Sequence, residues 1–280
     1  MNNDVKTLCH VLAVPKSSFY EQAKEQQPSN RKIEKQKFRQ AVMQIYNDSK
    51  KRYGAPKIRA VLKESYPCLS INRVQRHMKA LGIKSIVHKK YRPHKSEAVY
   101  EHGANLLKRD FSTTSPNEKW VADITYIHTL KDGWCYLATV LDLHLKKVVG
   151  YSFSRTISKE LVLTALDNAV KSQKPSAGLI IHSDRGSQYT SFEYRHKVEQ
   201  ELKFKLSYSR KGCPYDNAVI ESFHSILKKE LVYTTTFLNY QHARFELFQY
   251  IEGFYNRKRI HSKLNFMSPI QFEQSLKKIA

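Results

Sequence analysis

The sequence predicts an α/β fold, in which a mixed sheet is flanked by helices and preceded by a small all-α region of helix-turn-helix type. From Trp120 onward, three closely spaced strand patterns are followed by alternating helix and strand patterns and then by two long helical ones. Before residue 84 the apolar spacing is helical, with breaks at Pro15 and at Gly54–Ala55–Pro56.

Residues 1–83 form the predicted helix-turn-helix-like, DNA-binding region. The segment KIRAVLKES predicts one helix, and Ser70 is placed to cap a second helix whose apolar residues lie on one face. On its other sides Arg73, Arg76 and Lys79 recur at three-residue spacing, as in a helix that lies in a DNA major groove. A plain helical hairpin with a solvated basic surface fits the same spacing equally well.

Residues 84–112 form a predicted basic linker between this region and a second domain, residues 113–280. The stretch KSIVHKKYRPHK has no period, and its Lys89 and Lys90 stand beside a tyrosine. Basic side chains interleaved with an aromatic ring can follow a DNA backbone. A flexible tether has the same composition, and the two interpretations are compatible.

The net charge favours a polyanionic partner. The chain of 280 residues carries 48 Lys and Arg against 25 Asp and Glu, a formal charge of +23, of which residues 1–110 contribute +15. Nucleic acid is the commonest such partner, and a solvated basic surface is the alternative. We expect no membrane span, since no apolar stretch approaches ~20 residues. The start MNNDVKTLCH does not resemble a signal peptide, so a cytoplasmic protein is predicted.

Three acidic residues in the second domain stand where one metal site would need them. Asp123 lies inside the apolar strand pattern WVADITYI, Asp184 ends a buried strand at a glycine turn, and Glu221 is near the start of an amphipathic helix. Carboxylates held at two strands and a helix start can bind two Mg²⁺ ions and promote attack on a phosphodiester. We expect Mn²⁺ to substitute for Mg²⁺.

Each carboxylate also has a structural explanation. Asp123 can be a buried residue satisfied by backbone donors or a lysine, Asp184 can bond its own backbone in a turn, and Glu221 suits the positive end of a helix dipole. Three such acids in a strongly basic chain together favour the metal site. Lys228, on the same side of the helix as Glu221 and about 10 Å further along, is a candidate phosphate contact, although a lysine near a helix end is often only solvated.

Three polar residues near the carboxylates are candidate supporting groups. His182 and Gln188 flank Asp184 and are placed to orient water or phosphate, but each fits a satisfied structural role as well. Asn217 precedes the Glu221 helix and is a candidate for its cap or for a group that approaches the site.

Four stretches give the chain a recognisable identity: ANLLKRDFSTTSPNEKWVADITYI, HSDRGSQYTS, SRKGCPYDNAVIESFHSILKKEL and YNRKRIHSKLNFMSPIQF. They resemble the transposases of bacterial insertion sequences that are encoded in two overlapping frames, and in particular the downstream, catalytic OrfB-type subunit. The resemblance covers nearly the whole chain. It implies a retroviral-integrase-like catalytic core with a ribonuclease-H-like fold, in which Asp123, Asp184 and Glu221 form the Asp–Asp–Glu triad. Lys228 matches the basic residue seven positions after the glutamate.

The chain departs from the family in one spacing. Between Asp184 and Glu221 there are 36 residues, one more than the family usually has. Because both flanking motifs are intact, we expect the additional residue within 190–208.

The predicted function is that of a DDE transposase, a polynucleotidyl transferase that cleaves DNA at the ends of its element and joins the freed 3′ end to a target. One Mg²⁺ would activate water or a 3′-hydroxyl and the other would stabilise the leaving oxygen. The resemblance implies element ends and target DNA as partners, an upstream-frame subunit or frameshift fusion, a homo-oligomer on DNA, and a place in the bacterial nucleoid. The alternatives are a nuclease of the same fold that cannot join ends, and a non-catalytic DNA-binding protein or repressor from a degenerate element.

Overall fold

The computed structural model describes residues 5–23, 30–86, 103–210 and 212–278, and the chain separates into two compact units at residue 85. Among the helices in these ranges, none is long and apolar enough to cross a membrane.

The first unit consists of helices wherever the structure describes it. They are α1 (Val5–Val11), α2 (Lys16–Ala23), α3 (Asn30–Asp48), α4 (Ala55–Leu62) and α5 (Ile71–Ala80). Phe38, Ile58 and Val74, one from each of the last three helices, are fully buried and form the centre of its core. Ser70 caps α5 as predicted, since its hydroxyl accepts a hydrogen bond of 3.2 Å from the backbone N–H of Arg73.

The second unit is built on a five-stranded mixed sheet, which confirms the predicted fold class. Its strands are β1 (Lys119–Thr129), β2 (Gly133–Asp142), β3 (Val148–Ser154), β4 (Ile180–Ser183) and β5 (Lys205–Tyr208). Their spatial order is β3-β2-β1-β4-β5; the first three are antiparallel, and β4 and β5 run parallel to β1. The central strand β1 therefore pairs with a hairpin partner on one side and a crossover partner on the other.

Helices cover both faces of this sheet. The segments are α6 (Lys159–Gln173), α7 (Ser187–Thr190), α8 (Phe192–His196), α9 (Ala218–Glu230), α10 (Tyr240–Phe248) and α11 (Pro269–Lys277), with π-helical turns at Lys197–Glu201 and Gln249–Tyr255. Residues of α6 and α8 share one core cluster with the sheet, and residues of α9 and α10 share a second. Gly150 allows α6 to approach β3 closely, because a Cβ there would collide with the backbone oxygen of Ala165.

The central strand sends alternate side chains into these two cores. Trp120 and Ala122 belong to the cluster that contains α6, whereas Val121 and Ile127 belong to the cluster that contains α9. This is the alternation predicted from the sequence. It places Asp123 on the face that α9 covers.

The π-helical turn offers room for the additional residue between Asp184 and Glu221. It occupies Lys197–Glu201, inside the predicted interval, and the N–H of Leu202 donates to the carbonyl of Lys197 over 3.0 Å. Such a turn closes over one residue more than an α-helical turn does. An extra residue can thus be accommodated locally, without moving the strand or helix that carries the acids.

Candidate active site

Two of the predicted acids lie at the same level on neighbouring parallel strands. The register of β1 and β4 pairs Val121 with His182. Asp123 and Asp184 each follow two residues later, Asp123 in the middle of its strand and Asp184 directly after the end of β4. Neighbouring strands are about 4.8 Å apart, so the register alone brings the two acids side by side.

The third acid reaches this place from the helix that covers the strand. Glu221 lies in the first turn of α9, where Ile220, Phe223 and Leu227 form the buried stripe that the sequence predicts. These apolar residues hold α9 against the sheet and leave Glu221 exposed beside the stripe. The negative charge of Asp123 acts on Glu221 and, after burial, is a cause of its raised pKa.

The charge of Asp123 acts on both of the other carboxylates. Burial, and then the charge of Asp123, raise the pKa of Asp184 to about 6. The residue is accessible to water, yet the surrounding protein excludes enough solvent to disfavour its charge. The turn interpretation of Asp184 is correct as well, because Gly186 N–H donates to its Oδ1 over 2.9 Å. A turn role and a place in the acidic group are thus compatible.

The three carboxylates do not form a closed set of ligands. In the described part of the chain, no three His, Cys, Asp or Glu side chains converge tightly enough to hold a metal. Like charges on neighbouring side chains repel each other. Burial, and then the charge of Asp123, raise the pKa values of Asp184 and Glu221, and a divalent cation would offset both effects.

Lys228 also belongs to this part of the molecule. Its pKa is lowered because burial disfavours the ammonium charge, and the carboxylate of Asp123 acts in the opposite direction. The side chain is therefore half-buried and within electrostatic reach of the acids. Two turns of α9 separate it from Glu221, as the sequence predicts.

His182 is held by neighbours other than the carboxylates. Its ring nitrogens lie 2.8 Å from Ser207 Oγ and 3.1 Å from Ser209 Oγ, and burial lowers its pKa to about 4. A neutral histidine satisfied by two hydroxyls fits the structural role. Gln188 is half-buried in the short helix α7.

Asn217 directly precedes α9 and is buried, but its side chain makes no capping hydrogen bond. Within the described residues its Oδ1 has no hydrogen-bond partner.

The predicted DNA-binding residues of the first unit differ in their surroundings. Arg76 and Lys79 are exposed on α5. Arg73 is turned towards α3, where its guanidinium lies 4.7 Å from the Phe38 ring centroid and 3.4 Å from Glu34 Oε1. Lys89 and Lys90 lie outside the described residues.

Two residues next to the acids carry no role in the sequence-based prediction. His224, one turn after Glu221, has its Nδ1 3.3 Å from Asp123 Oδ2. Tyr189 is buried, and burial followed by the charge of Asp123 raises its pKa well above the ordinary value. The i, i+3 spacing from Glu221 was the available signal for His224. Nothing in the sequence pattern marks Tyr189.

A buried carboxylate fixes the loop that leads into α9. Asp216 is fully buried, and its oxygens accept hydrogen bonds of 2.8–3.0 Å from Arg109, Arg210 and Asn105. These donors, Arg210 above all, hold its pKa well below the usual range. Two segments of the unit, one near its start and one just before α9, are thereby joined at the entrance of the helix that carries Glu221.

Models of known families match both units of the chain. An integrase core domain model matches residues 113–214, which include Asp123 and Asp184, and a second integrase core domain model matches residues 202–269, which include Glu221. An HTH-like domain model matches residues 33–91.

Individual relatives extend the match over most of the chain. The transposase InsF for insertion sequence IS3A of Escherichia coli (strain K12) is 37% identical over 96% of this chain and 93% of its own length. The transposase for insertion sequence element IS904 of Lactococcus lactis is 37% identical over 88% of this chain and 97% of its own. The solved HTLV-2 integrase catalytic core, in complex with magnesium, covers 56% of this chain and 96% of its own at 17% identity and a TM-score of 0.43, so the assignment relies on the transposases. The chain belongs to the IS3 family of insertion-sequence transposases, with a ribonuclease-H-like integrase core of the DDE polynucleotidyl transferase class.

Proposed function

We propose that this transposase catalyses Mg²⁺-dependent cleavage at the ends of its element and transfer of the freed strand to target DNA, with Asp123, Asp184 and Glu221 as metal ligands. The observation that supports this most strongly is that Asp184 and Glu221 both experience the charge of Asp123, from a neighbouring strand and a covering helix. Carboxylates placed this close disfavour each other's ionised form, and a bound divalent cation would offset that cost. Such a cluster in a chain of net charge +23 favours a functional site.

The donor set fits a hard divalent cation. Mg²⁺ prefers oxygen ligands and is usually held by one or a few carboxylates together with substrate phosphates. When bound, Mg²⁺ (or Mn²⁺) activates the attacking oxygen and neutralises charge on the leaving oxygen. The protein's own part is to hold three carboxylates together, one in the middle of β1, one after the end of β4 and one on α9, and to keep Lys228 within reach of a bound phosphate.

Substrate binding is assigned to basic residues of both units. In the segment 51–85 there are 9 Lys and Arg and 1 acidic residue. On α5 the exposed polar side chains are Asn72, Gln75, Arg76 and Lys79, which follow one another at helical spacing. Asn, Gln and Arg are the residue types that form bidentate hydrogen bonds to base edges. We therefore assign DNA contact to this stripe of α5, and to Lys89 and Lys90 after it.

For Arg76→Ala, we expect DNA affinity to fall by about 5- to 150-fold, which corresponds to the loss of about 1–3 kcal/mol for a base contact. Arg73→Ala is the matched control on the same helix. Because the Arg73 side chain packs on Phe38 and pairs with Glu34, its loss should lower the thermal stability of the first unit more than it lowers DNA affinity. Fluorescence anisotropy with a labelled duplex, combined with thermal melting, measures both. Equal loss of affinity in the two variants would count against the assigned stripe.

The function itself is tested by supplying the full-length protein with DNA that carries the element's terminal repeats, with and without Mg²⁺. We expect 3′-end cleavage and joined products only with the metal. Cleavage without joining would identify a nuclease of the same fold. Salt-sensitive binding without either reaction, and indifferent to Mg²⁺, would identify a non-catalytic DNA-binding protein.

This function requires partners besides the metal and the element ends. An upstream-frame subunit or frameshift fusion would complete recognition of the element ends, and several copies would assemble on DNA to hold two ends and a target together. A chromosomal target places the protein in the cytoplasm, at the nucleoid.

A further inference from the structure

A buried histidine stands behind the central carboxylate of the site. His224 lies on α9, one turn after Glu221, and is only 6% exposed. Its Nδ1 is 3.3 Å from Asp123 Oδ2, and its Nε2 is 2.8 Å from Thr139 Oγ1. The imidazole therefore connects the helix to both strands of the β1–β2 hairpin, because Asp123 and Thr139 are paired across it.

The contacts of His224 favour one tautomer of its ring. An ionised carboxylate only accepts, so the tautomer that suits the contact with Asp123 is the one that carries its proton on Nδ1. In the neutral imidazole Nε2 is then an acceptor, and the hydroxyl of Thr139 can donate to it. His224 is thus held between a hydrogen bond to Thr139 and a 3.3 Å contact with Asp123. The hydroxyl of Thr139 anchors the far side of the ring, so that Nδ1 stays turned towards the carboxylate.

The other oxygen of Asp123 is held as well. The backbone N–H of Ile124 donates to Asp123 Oδ1 over 2.8 Å. A backbone donor on Oδ1 and the His224 ring beside Oδ2 restrict the rotation of the carboxyl group, while each oxygen keeps further lone-pair capacity for a ligand. A carboxylate oriented in this way is prepared for metal binding, since outer partners of this kind orient the ligands of metal sites.

We propose that His224 is a positioning residue that orients Asp123 for metal binding, with Thr139 as the group that holds its ring in place. This inference rests on the proposed function, in which Asp123 is a metal ligand. His224 acts through Asp123. It is buried between its own helix α9 and the sheet, so it does not contact DNA. His182 is also buried, but both of its ring nitrogens lie against serine hydroxyls. Removing it should therefore leave metal binding unchanged.

Two amide substitutions separate the two contacts of the ring. The side-chain nitrogen of asparagine falls near the position of Nδ1, and that of glutamine falls near Nε2. His224→Asn therefore keeps the donor to Asp123 and loses the contact with Thr139, whereas His224→Gln does the reverse. A ring that merely fills space would favour the larger glutamine, so the two explanations predict opposite orders.

Metal affinity is measured as the Mn²⁺ or Mg²⁺ concentration that gives half of the maximal rise in melting temperature of the full-length protein. The metal concentration that gives half-maximal strand transfer is measured alongside it. For His224→Gln we expect metal affinity to fall by about 10- to 100-fold, the range found when an outer partner of a metal ligand is lost. His224→Asn should remain near the wild-type value. Equal affinities in the two variants, or a greater loss in the asparagine variant, would overturn the proposal.

Two further variants keep the test decisive. If both His224 variants fail to fold, Thr139→Val, which removes the hydroxyl at constant shape, should weaken metal binding while Thr139→Ser does not; equal values for these two overturn the proposal. Asp123→Asn separates the two levels of the hypothesis. If it leaves the metal response intact, the metal site itself is wrong; if it abolishes the response while His224→Gln does not, only the positioning role is wrong.

Discussion

Asp123→Asn should reduce strand transfer by about 10³-fold or more while DNA binding is retained. The substitution conserves shape and removes the charge that acts on Asp184, Glu221 and Lys228 together. Enzymes lose turnover on this scale when a group that stabilises transition-state charge is removed. The loss should appear in the rate of end cleavage and of joining alike, measured with labelled end-bearing DNA in Mg²⁺.

The controls for this prediction separate catalysis from folding and binding. Asp167→Asn is the same acid-to-amide change at a partly exposed residue of α6 that pairs with Lys197, and it should leave the rate within about twofold. DNA affinity of Asp123→Asn should equal or exceed that of the wild type, because a negative charge near phosphates has been removed. Wild-type rates in Asp123→Asn, or in Glu221→Gln, would remove these residues from the proposed triad.

Much of the site is predictable from the sequence because its elements follow local rules. The alternation in WVADITYI assigns Asp123 to the face opposite Trp120, and the apolar stripe of α9 puts Glu221 at its edge. These assignments depend only on the period of a strand or a helix. The mixed sheet follows in the same way from the order of strand and helix patterns, and the structure confirms it.

The supporting groups could not be predicted because their contacts are not local. His224 meets Thr139 only through the β1–β2 register and the packing of α9, 85 residues away in sequence. Likewise, Asp216 is bound by Arg109 and Asn105, more than 100 residues earlier. Periodicity identifies which face of an element is buried, but not which polar atom will be opposite.

Arg73 shows a second reason why sequence spacing alone misassigns a residue. Residues at three-residue spacing rotate by about 60° per step around a helix, so Arg73 and Lys79 are roughly 120° apart. A set of basic residues that looks regular in the sequence therefore cannot all share one exposed face. Arg73 turns to α3, and the exposed stripe instead includes Asn72 and Gln75.

The segment after α10 is joined to α9 by a buried ion pair, and breaking this pair should have the second large effect. Arg259 and Glu230 have side chains that are 9% and 11% exposed, with the guanidinium bonded to both carboxylate oxygens over 2.9–3.1 Å. Tyr250 donates to the same carboxylate over 2.8 Å. The pair fixes the end of α9, 29 residues before the arginine in sequence, against the YNRKRIHS segment.

Arg259→Ala should destabilise the catalytic unit by about 3–5 kcal/mol, because Glu230 at the end of α9 would keep its buried charge without the guanidinium. For a unit of this size that corresponds to a fall in melting temperature of about 6–20 °C, measurable by thermal or urea unfolding of the full chain. Arg257→Ala, the exposed arginine two residues earlier, is the matched control and should change stability by no more than about 0.5 kcal/mol.

The double variant Arg259→Met with Glu230→Leu distinguishes a buried charge from lost packing. Replacing both members of a buried pair by apolar groups is often neutral, so this variant should regain most of the stability that Arg259→Ala loses. If it is as unstable as the single variant, the ion pair contributes through its shape and its bond to Tyr250 rather than through charge compensation. Because α9 carries Glu221 at its other end, a destabilised α9 should also weaken the metal response, and restored stability in the double variant should bring that response back.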